Sequence, residues 1–408
     1  MPELSGQHFT IQDFSQHQRL SKSTADTLFL VETGYTTTGI LLKVDESEDF
    51  TGSFLVVKND TLNFTEGEEG PAGDHKKFSN LLTFSVPIQS FLFCPGQIKG
   101  DIQFYYINAQ KTDEGATVKP SKKKDAGCSE PGMIEQSEWR EGLSDPSYER
   151  VYTDVHNIIV HHSAGSNIDT NYTGIVRNIY IYHTEIRGWS DIGYNYLLAP
   201  DGTIFKGRDP GNLEQDNVKG AHFCAANSGT MGICVMGTYI EVSPSQAALA
   251  SLISLMNWKL GKDSLDPLGI YTHVLNSALP VIAGHRDGCA TECPGEVFYH
   301  LLDSIRQEVQ KAFNACGYEA RPVETAIRSY VSPALTISYA SQYISIQFNE
   351  GQVEQFKLYD MLGHEVSRFC QQVTQSEVLL SRGALASGIY LVSIILNDTL
   401  YTDKLMLF

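Results

Sequence analysis

Positive charge is scarce in this chain. Against 48 Asp and Glu stand 30 Lys and Arg, a net charge of -18 over 408 residues. That deficit argues against a nucleic-acid binder with a broad basic face, and weighs against an anionic membrane as partner. Long apolar runs are missing too. The tightest one, Tyr390 to Leu396, has strand length and falls far short of the roughly 18 residues of a transmembrane segment. Cysteine is sparse. Eight are spread along the chain, which excludes a small disulfide scaffold and leaves room for a few pairs outside the cytosol. The start, MPELSGQHFT, has no basic stretch followed by an apolar core, so it does not read as a signal peptide. There is no internal repeat.

What is present is enough apolar material, 42%, for two or three buried cores. Residues 1–115 read as a β-sandwich. Short apolar runs such as Thr27–Val31, Gly39–Val44, Ser53–Val57, Leu81–Val86 and Ile102–Ile107 are divided by turn residues, the rhythm of an all-β domain. His8, His17 and His75 are scattered there and form no chemical cluster. Residues 116–132, with Lys122, Lys123 and Lys124 amid Pro, Ser and Gly, read as a solvated tether.

Residues 133–317 change character. A buried strand over His156–Val160, a helix over Tyr172–Glu185, a hairpin around Pro200-Asp201-Gly202 and a strand over Met231–Gly237 alternate. Ser243-Pro244-Ser245-Gln246 predicts a capping box with Pro at the first helical position. It opens a helix carrying Leu249, Leu252, Ile253, Met256 and Leu260 on one face, and a last helix follows with Phe298, Leu301, Leu302, Ile305 and Val309. Strands alternating with helices predict a central α/β domain, a mixed sheet flanked by helices. A second linker spans 318–335. Residues 336–408 read as a small C-terminal β-sandwich.

Three segments of the middle region carry chemistry: IIVHHSAG with His161 and His162, GHRDG with His285, and ATECPG with Cys293. Neighbouring side chains on a strand point to opposite faces, so only one of His161 and His162 can serve a given site. Two imidazoles and a thiolate make a three-ligand zinc set with an open position, the pattern of a catalytic ion. Zinc lowers the pKa of bound water to about 7. Two alternatives stand beside this. A histidine at a strand end is commonly an ordinary satisfied polar residue. Cys289 and Cys293, joined by His285 and His161, would form a closed structural site.

Taken in order, IIVHHSAG, GWSDIGYNYLLAPDGTIFKGRD, GAHFCAANSGTMGICVMG and GHRDGCATECPG resemble the type 2 N-acetylmuramoyl-L-alanine amidases, a family that includes the peptidoglycan recognition proteins. The resemblance covers about 150–313, and upstream IEQSEWREGL is similar to the entry segment of such domains. It implies Zn²⁺ held by His161, His285 and Cys293, and hydrolysis of the amide between N-acetylmuramic acid and L-alanine. Tyr194 would hydrogen-bond the water or the oxyanion. Thr291 occupies the position of a second catalytic side chain, but as a hydroxyl it brings no positive charge. His222 and Asn227 resemble groove-lining positions that would bind peptidoglycan or muropeptides, with a loop-stabilising role as the alternative. Trp189 and Asp191 are expected to set a turn, Arg208 and Asp209 to fix a hairpin end, His183 to pack, and Cys234 to fill the core. A Cys224–Cys289 disulfide is plausible in an oxidising compartment.

FKLYDMLGHEV, GALASGIYLVSI and the ending YTDKLMLF resemble the C-terminal sorting domains read by the type IX secretion system. That likeness implies an extracytoplasmic protein, at the cell surface or secreted with the periplasm as an alternative, which meets the secretion machinery through its tail. Such cargo first crosses the inner membrane, so the start of the chain is expected to be incomplete. Two other readings remain open: a peptidoglycan binder without catalysis, which in this family usually lacks one metal ligand, and an adhesin whose flanking β domains carry the function.

Overall fold

The computed structural model describes residues 8–12, 28–58, 60–67, 75–110 and 128–320, and in the C-terminal part 335–339, 343–348, 353–360, 365–366, 370–373, 377–381, 385, 388–396 and 399–407. His17, the lysines of the expected tether and most of the second linker fall outside the described residues. The chain divides into two units, Met1–Arg321 and Pro322–Phe408.

The first unit begins with β1 (His8–Gln12), β2 (Phe29–Asp45), β3 (Phe54–Val57), β4 (Asp60–Asn63), β5 (Lys76–Phe78), β6 (Leu82–Cys94) and β7 (Ile102–Ile107). They hydrogen-bond in the order β1-β7-β2-β6-β3-β4, with β5 also on β2. The separate sheets of the expected sandwich are therefore one continuous antiparallel sheet. The reason is the length of β2 and β6. Two runs read as separate strands, the second Gly39–Val44 and the first through its residues Phe29–Val31, belong to one 17-residue strand whose register shifts between Glu32 and Gly39. Such shifts bend a strand without ending it.

This sheet is buried on both faces. Ile40, Leu42, Phe93, Phe104 and Tyr106 pack into the sheet's own core. Leu41, Phe78, Tyr105 and Ile107 point the other way, into a core shared with Ile175, Ile179, Tyr182 and Tyr194 of the following α/β part. Polar contacts cross the same seam. Thr38 Oγ1 donates to Asn178 Oδ1 at 3.0 Å, Asn80 Nδ2 to the Ala164 carbonyl at 2.9 Å, and Arg177 Nε to the Ala109 carbonyl at 2.7 Å. Each large apolar side chain buried here contributes about 1.5–3 kcal/mol. The four that the sheet contributes at this seam rival the whole stability of an ordinary domain.

The α/β part contains α1 (Gln136–Trp139), β8 (Asn157–His162), α2 (Tyr172–Ile181), β9 (Tyr196–Leu198), β10 (Ile204–Lys206), β11 (Thr230–Val235), α3 (Gln246–Asp263), β12 (Ile270–His273), β13 (Asn276–Pro280), β14 (Ile282–Gly284) and α4 (Glu296–Ala315). Its central sheet runs β10-β9-β11-β8-β14. Only β9 and β10 are antiparallel, and the other neighbours are parallel, so the sheet is mixed. One face packs Ile158, Val160, Leu198 and Val235 against Leu252, Leu255, Leu260, Phe298 and Leu302 of α3 and α4. The helix α3 starts two residues later than its sequence predicts. Ser245, not Ser243, is the N-cap, its hydroxyl accepting from Ala248 N at 3.0 Å. Pro244 thus precedes the helix. The hairpin β12–β13 was not foreseen. A disulfide, Cys128–Cys316, joins the segment leading into the α/β part to the end of α4.

The second unit contains β15 (Leu335–Tyr339), β16 (Tyr343–Phe348), β17 (Val353–Tyr359), β18 (Cys370–Val373), β19 (Glu377–Ser381), β20 (Gly388–Leu396) and β21 (Thr399–Leu407). They form a four-stranded sheet, β15-β16-β19-β18, and a three-stranded one, β17-β20-β21. Ile344, Ile346, Val378 and Leu380 from the first meet Leu358, Tyr390, Val392 and Leu405 from the second in one core.

Candidate metal centre

The pleat of β8 sorts its two histidines. Ile158 and Val160 enter the core under α3 and α4, and His162 shares their parity. Its Nδ1 accepts from Tyr239 N at 3.3 Å. His161 shares the opposite face with Ile159, which belongs to the small cluster around Phe223 and Ala283. The parallel partner β14 ends with Gly284 beside Val160, so the next residue, His285, emerges level with His161. A short turn over His285–Asp287 follows, and Arg286 N donates to the Cys293 carbonyl at 3.0 Å. That bond folds the ATECPG segment back onto the strand end.

The result is one cluster. One donor atom each from His161, His285 and Cys293 lies within 4.8 Å of the others, all three residues being buried. Cys293 Sγ is 3.7 Å from His161 Nδ1, and the two imidazole rings are 4.4 Å apart. Tetrahedral zinc with bonds of about 2.1 Å to nitrogen and 2.3 Å to sulfur spaces its donors about 3.4–3.6 Å apart. The donor set therefore fits that ion. Burial, and then the neighbouring His285, His222 and His162, hold the His161 pKa well below its ordinary value. A neutral imidazole is the form that donates a lone pair to a metal.

The surroundings fix the donors. His162 N donates to Cys293 Sγ at 3.4 Å. His161 Nε2 meets His222 Nδ1 at 3.1 Å, and His222 Nε2 meets Thr230 Oγ1 at 3.5 Å. Thr230 Oγ1 in turn donates to the Asn227 carbonyl at 2.9 Å. One tautomer pattern fits the chain: His161 donates from Nε2, keeps the Nδ1 lone pair for a cation, and His222 donates to Thr230. Burial first, and then His285, Arg208 and His273, push the His222 pKa down to about 3, so it acts as a neutral acceptor. Gly232 makes room for this ring, since a Cβ there would lie 2.5 Å from His222 Cδ2.

For His222 and Asn227, which the sequence left between a groove-lining and a loop-stabilising role, the structure shows buried side chains. His222 supports His161, and Asn227 Oδ1 accepts from the backbone of His222 at 2.7 Å and Phe223 at 2.9 Å. Tyr194 does join the cluster, its ring 5.2 Å from that of His161. Thr291 Oγ1 accepts from Cys293 N at 3.1 Å, which places this hydroxyl on the backbone of a donor residue. Cys289 is bonded to Cys224 and supplies no thiolate, so the closed two-cysteine structural site does not form.

The remaining conspicuous residues build the scaffold. His183 stacks on Trp189 at 4.5 Å and accepts from Gly193 N at 3.2 Å. Asp191 is fully buried and accepts from Asp209 N at 2.7 Å and Ile192 N at 2.7 Å. Burial pushes its pKa up to about 6 against those bonds and Arg208. Arg208 donates to the Ile192 carbonyl and Ser190 rather than to Asp209, which pairs with Arg140 and Arg150. Cys234 lies beside His161 on β11 and fills the shared core.

A mixed sheet that brings two histidines and a cysteine to one strand end defines a class. Residues 151–296 match the family described as N-acetylmuramoyl-L-alanine amidase, and residues 340–407 match the family described as secretion system C-terminal sorting domain. Peptidoglycan-recognition protein SC2 of Drosophila simulans is 30% identical over 165 residues, 40% of this chain and 80% of its own length. Peptidoglycan recognition protein 1 of Mus musculus is 30% identical over 175 residues, 42% of this chain and 86% of its own. Among solved structures, the N-acetylmuramoyl-L-alanine amidase LysC of Clostridium intestinale is 24% identical, covering 44% of this chain and 97% of its own, with a TM-score of 0.33. The chain belongs to the N-acetylmuramoyl-L-alanine amidase family that includes the peptidoglycan recognition proteins. It carries in addition a C-terminal sorting domain of the type IX kind.

Proposed function

We propose that the protein is a zinc-dependent hydrolase of the amide between N-acetylmuramic acid and L-alanine in peptidoglycan. The observation that carries this reading is the convergence of His161, His285 and Cys293 donors within 4.8 Å. Relatives named for peptidoglycan recognition support the substrate class. When bound, zinc would polarise the amide carbonyl and make water acidic enough to supply hydroxide near neutral pH.

The chain's own residues hold and orient. His161 presents Nδ1 because His222 engages its other nitrogen, and such support of a ligand histidine sharpens its direction and basicity. The His162 backbone N–H, bonded to Cys293 Sγ, favours the thiolate. Tyr194, with its ring packed beside His161, would donate a hydrogen bond to the oxygen that gains charge as the carbonyl is attacked. Thr291 holds the Cys293 segment through its backbone contact and serves as a positioning residue. Departure of the L-alanine amine takes up one proton, balanced through solvent by the proton that the attacking water gives up.

The alternative is a peptidoglycan binder without catalysis, favoured by the recognition proteins among the relatives. The complete donor set weighs toward the hydrolase. Incubating the metal-loaded protein with a muropeptide and measuring free stem peptide separates them. The hydrolase releases peptide, and a chelator stops it. A binder retains the muropeptide and releases none. The sorting domain and the wall-directed domain together suggest an extracytoplasmic or secreted protein. Among the described residues no helix is long and apolar enough to cross a membrane.

A further inference from the structure

His285 belongs to two sets of metal donors. One set adds His161 and Cys293. The other adds Cys224 and Cys289, and one donor atom each from Cys224, His285 and Cys289 lies within 4.8 Å of the others. In the oxidised protein this second set is locked, because its two sulfurs are bonded to each other and a metal takes the thiolate. The disulfide ties the loop after His222, the residue that engages His161, to the turn that follows His285.

The lock faces solvent. Cys224 is exposed and Cys289 half-buried, whereas Cys293 is buried. The loops on either side hold their places without the disulfide. Cys289 N donates to the His285 carbonyl at 3.1 Å, which keeps its sulfur beside that ring. Asn227 Oδ1 pins the backbone of His222 and Phe223 just before Cys224. The Cα atoms of the two cysteines are 6.2 Å apart. Tetrahedral zinc holds two sulfurs about 3.8 Å apart, a spacing that two thiols on these Cα atoms reach by turning about their Cα–Cβ bonds.

We propose that Cys224, Cys289 and His285 form a second, redox-gated zinc site, which takes His285 from the first centre once the disulfide is reduced. The inference rests on the metal-centre reading for the ligand that it removes. A dithiol reductant gives two electrons and two protons to the Cys224–Cys289 bond and leaves as a disulfide. Zinc binding then releases the two thiol protons to solvent. A neutral imidazole keeps one lone pair for a metal, so His285 serves one ion at a time. Two thiolates bring two negative charges to the dication where the first centre brings one, and that favours the second set. His161 and Cys293 are then left one donor short of a three-ligand site. An oxidising compartment, where disulfides persist, thus keeps zinc at the first centre, and a reducing one moves it away.

The test uses the full chain in two states, oxidised, and reduced by a dithiol that is then removed without air. Zinc per chain is counted in each. Co(II) next replaces zinc as a probe, because its thiolate charge-transfer absorption counts the bound sulfurs. One ion per chain is expected in both states, with that absorption rising about twofold on reduction as one thiolate becomes two. Cys293→Ser separates the sites: it is expected to lose metal when oxidised and to regain it when reduced. Cys224→Ser combined with Cys289→Ser is expected to show the one-thiolate spectrum in both states. That variant retains Cys128–Cys316, so a rise surviving in it assigns the new thiolates to that pair and overturns the second site. Release of stem peptide from a muropeptide by the wild type is expected to fall about a hundredfold on reduction, since losing a ligand outweighs losing its outer partner. A reduced Cys293→Ser protein without metal, beside a wild type that keeps the one-thiolate spectrum in both states, overturns the second site and leaves the first standing. Metal held only after reduction, by wild type and Cys293→Ser alike, keeps the second site and overturns the first. The two-thiolate spectrum without peptide release in either state keeps the second site and overturns the hydrolase.

Discussion

Two β-rich regions flank the α/β part, each with seven strands among the described residues. Their integration differs. The C-terminal strands close a core from their own residues, Ile344, Leu358, Leu380, Val392 and Leu405 among them, and form a separate unit. The N-terminal sheet has a core of its own on one face only, and gives Leu41, Tyr105 and Ile107 to the core of the α/β part on the other. The lesson is that strand content does not tell a module from a wall. What tells them apart is whether both faces of the sheet are spoken for.

The comparison can be broken most forcefully by truncation. Removing residues 322–408 is expected to leave the melting transition of the first unit in place. Removing residues 1–110 is expected to leave the α/β part aggregated or without a cooperative transition, because it uncovers Ile175, Ile179 and Tyr182 and strips the partners of Asn178 and Arg177. Calorimetry of both truncations reads the difference. A soluble, cooperatively melting fragment without residues 1–110 would make the N-terminal sheet a module after all.

A smaller effect sharpens the same contrast through the metal. His222→Ala removes the acceptor that orients His161 and is expected to weaken zinc binding by about 10–100-fold. The zinc-induced rise of the first transition should shrink accordingly, and the second should not move. Metal titration followed by calorimetry checks both.

The smallest effect is a pH dependence. Burial pushes the Asp191 pKa up to about 6, above the ordinary value of 3.8 for the unfolded chain. Folding therefore favours the protonated carboxyl. Its contribution is fully present below about pH 4 and is lost as pH rises through 6, a change on the order of 3 kcal/mol at most. Asp191→Asn is expected to flatten the melting temperature of the first unit between pH 4 and 6, again without touching the second. An unchanged slope would mean that Asp191 titrates like an exposed carboxyl.

The chemistry was more legible in the sequence than the architecture around it. Strand parity required that His161 and His162 face apart, but spacing alone left the metal set open; the resemblance of the ordered motifs implied His161, His285 and Cys293, and placed Tyr194 beside them. His222 and Asn227 were harder, because the GAHFCAAN motif names the loop but not whether its side chains look out or in. Gly232, the neighbour that lets the ring turn inward, was a sign of close packing that went unread. The joined N-terminal sheet also left a trace. Ile40-Leu41-Leu42 and Phe104-Tyr105-Tyr106-Ile107 do not alternate, and unbroken apolar runs mark strands covered on both faces. The Cys128–Cys316 pair was not legible, since its partners are 188 residues apart and nothing local links them. The α3 cap was misplaced because Ser243 and Ser245 both precede apolar helix residues, and only the backbone decides between them.

The account turns on whether His161, His285 and Cys293 hold one ion together. Metal analysis of the purified full-length protein, beside its Cys293→Ser variant, tests this directly. One zinc per chain in the wild type, and a large loss of zinc in the variant with the fold retained, is the predicted result. Equal zinc in both proteins, or none in a wild type dialysed against excess zinc, would contradict it.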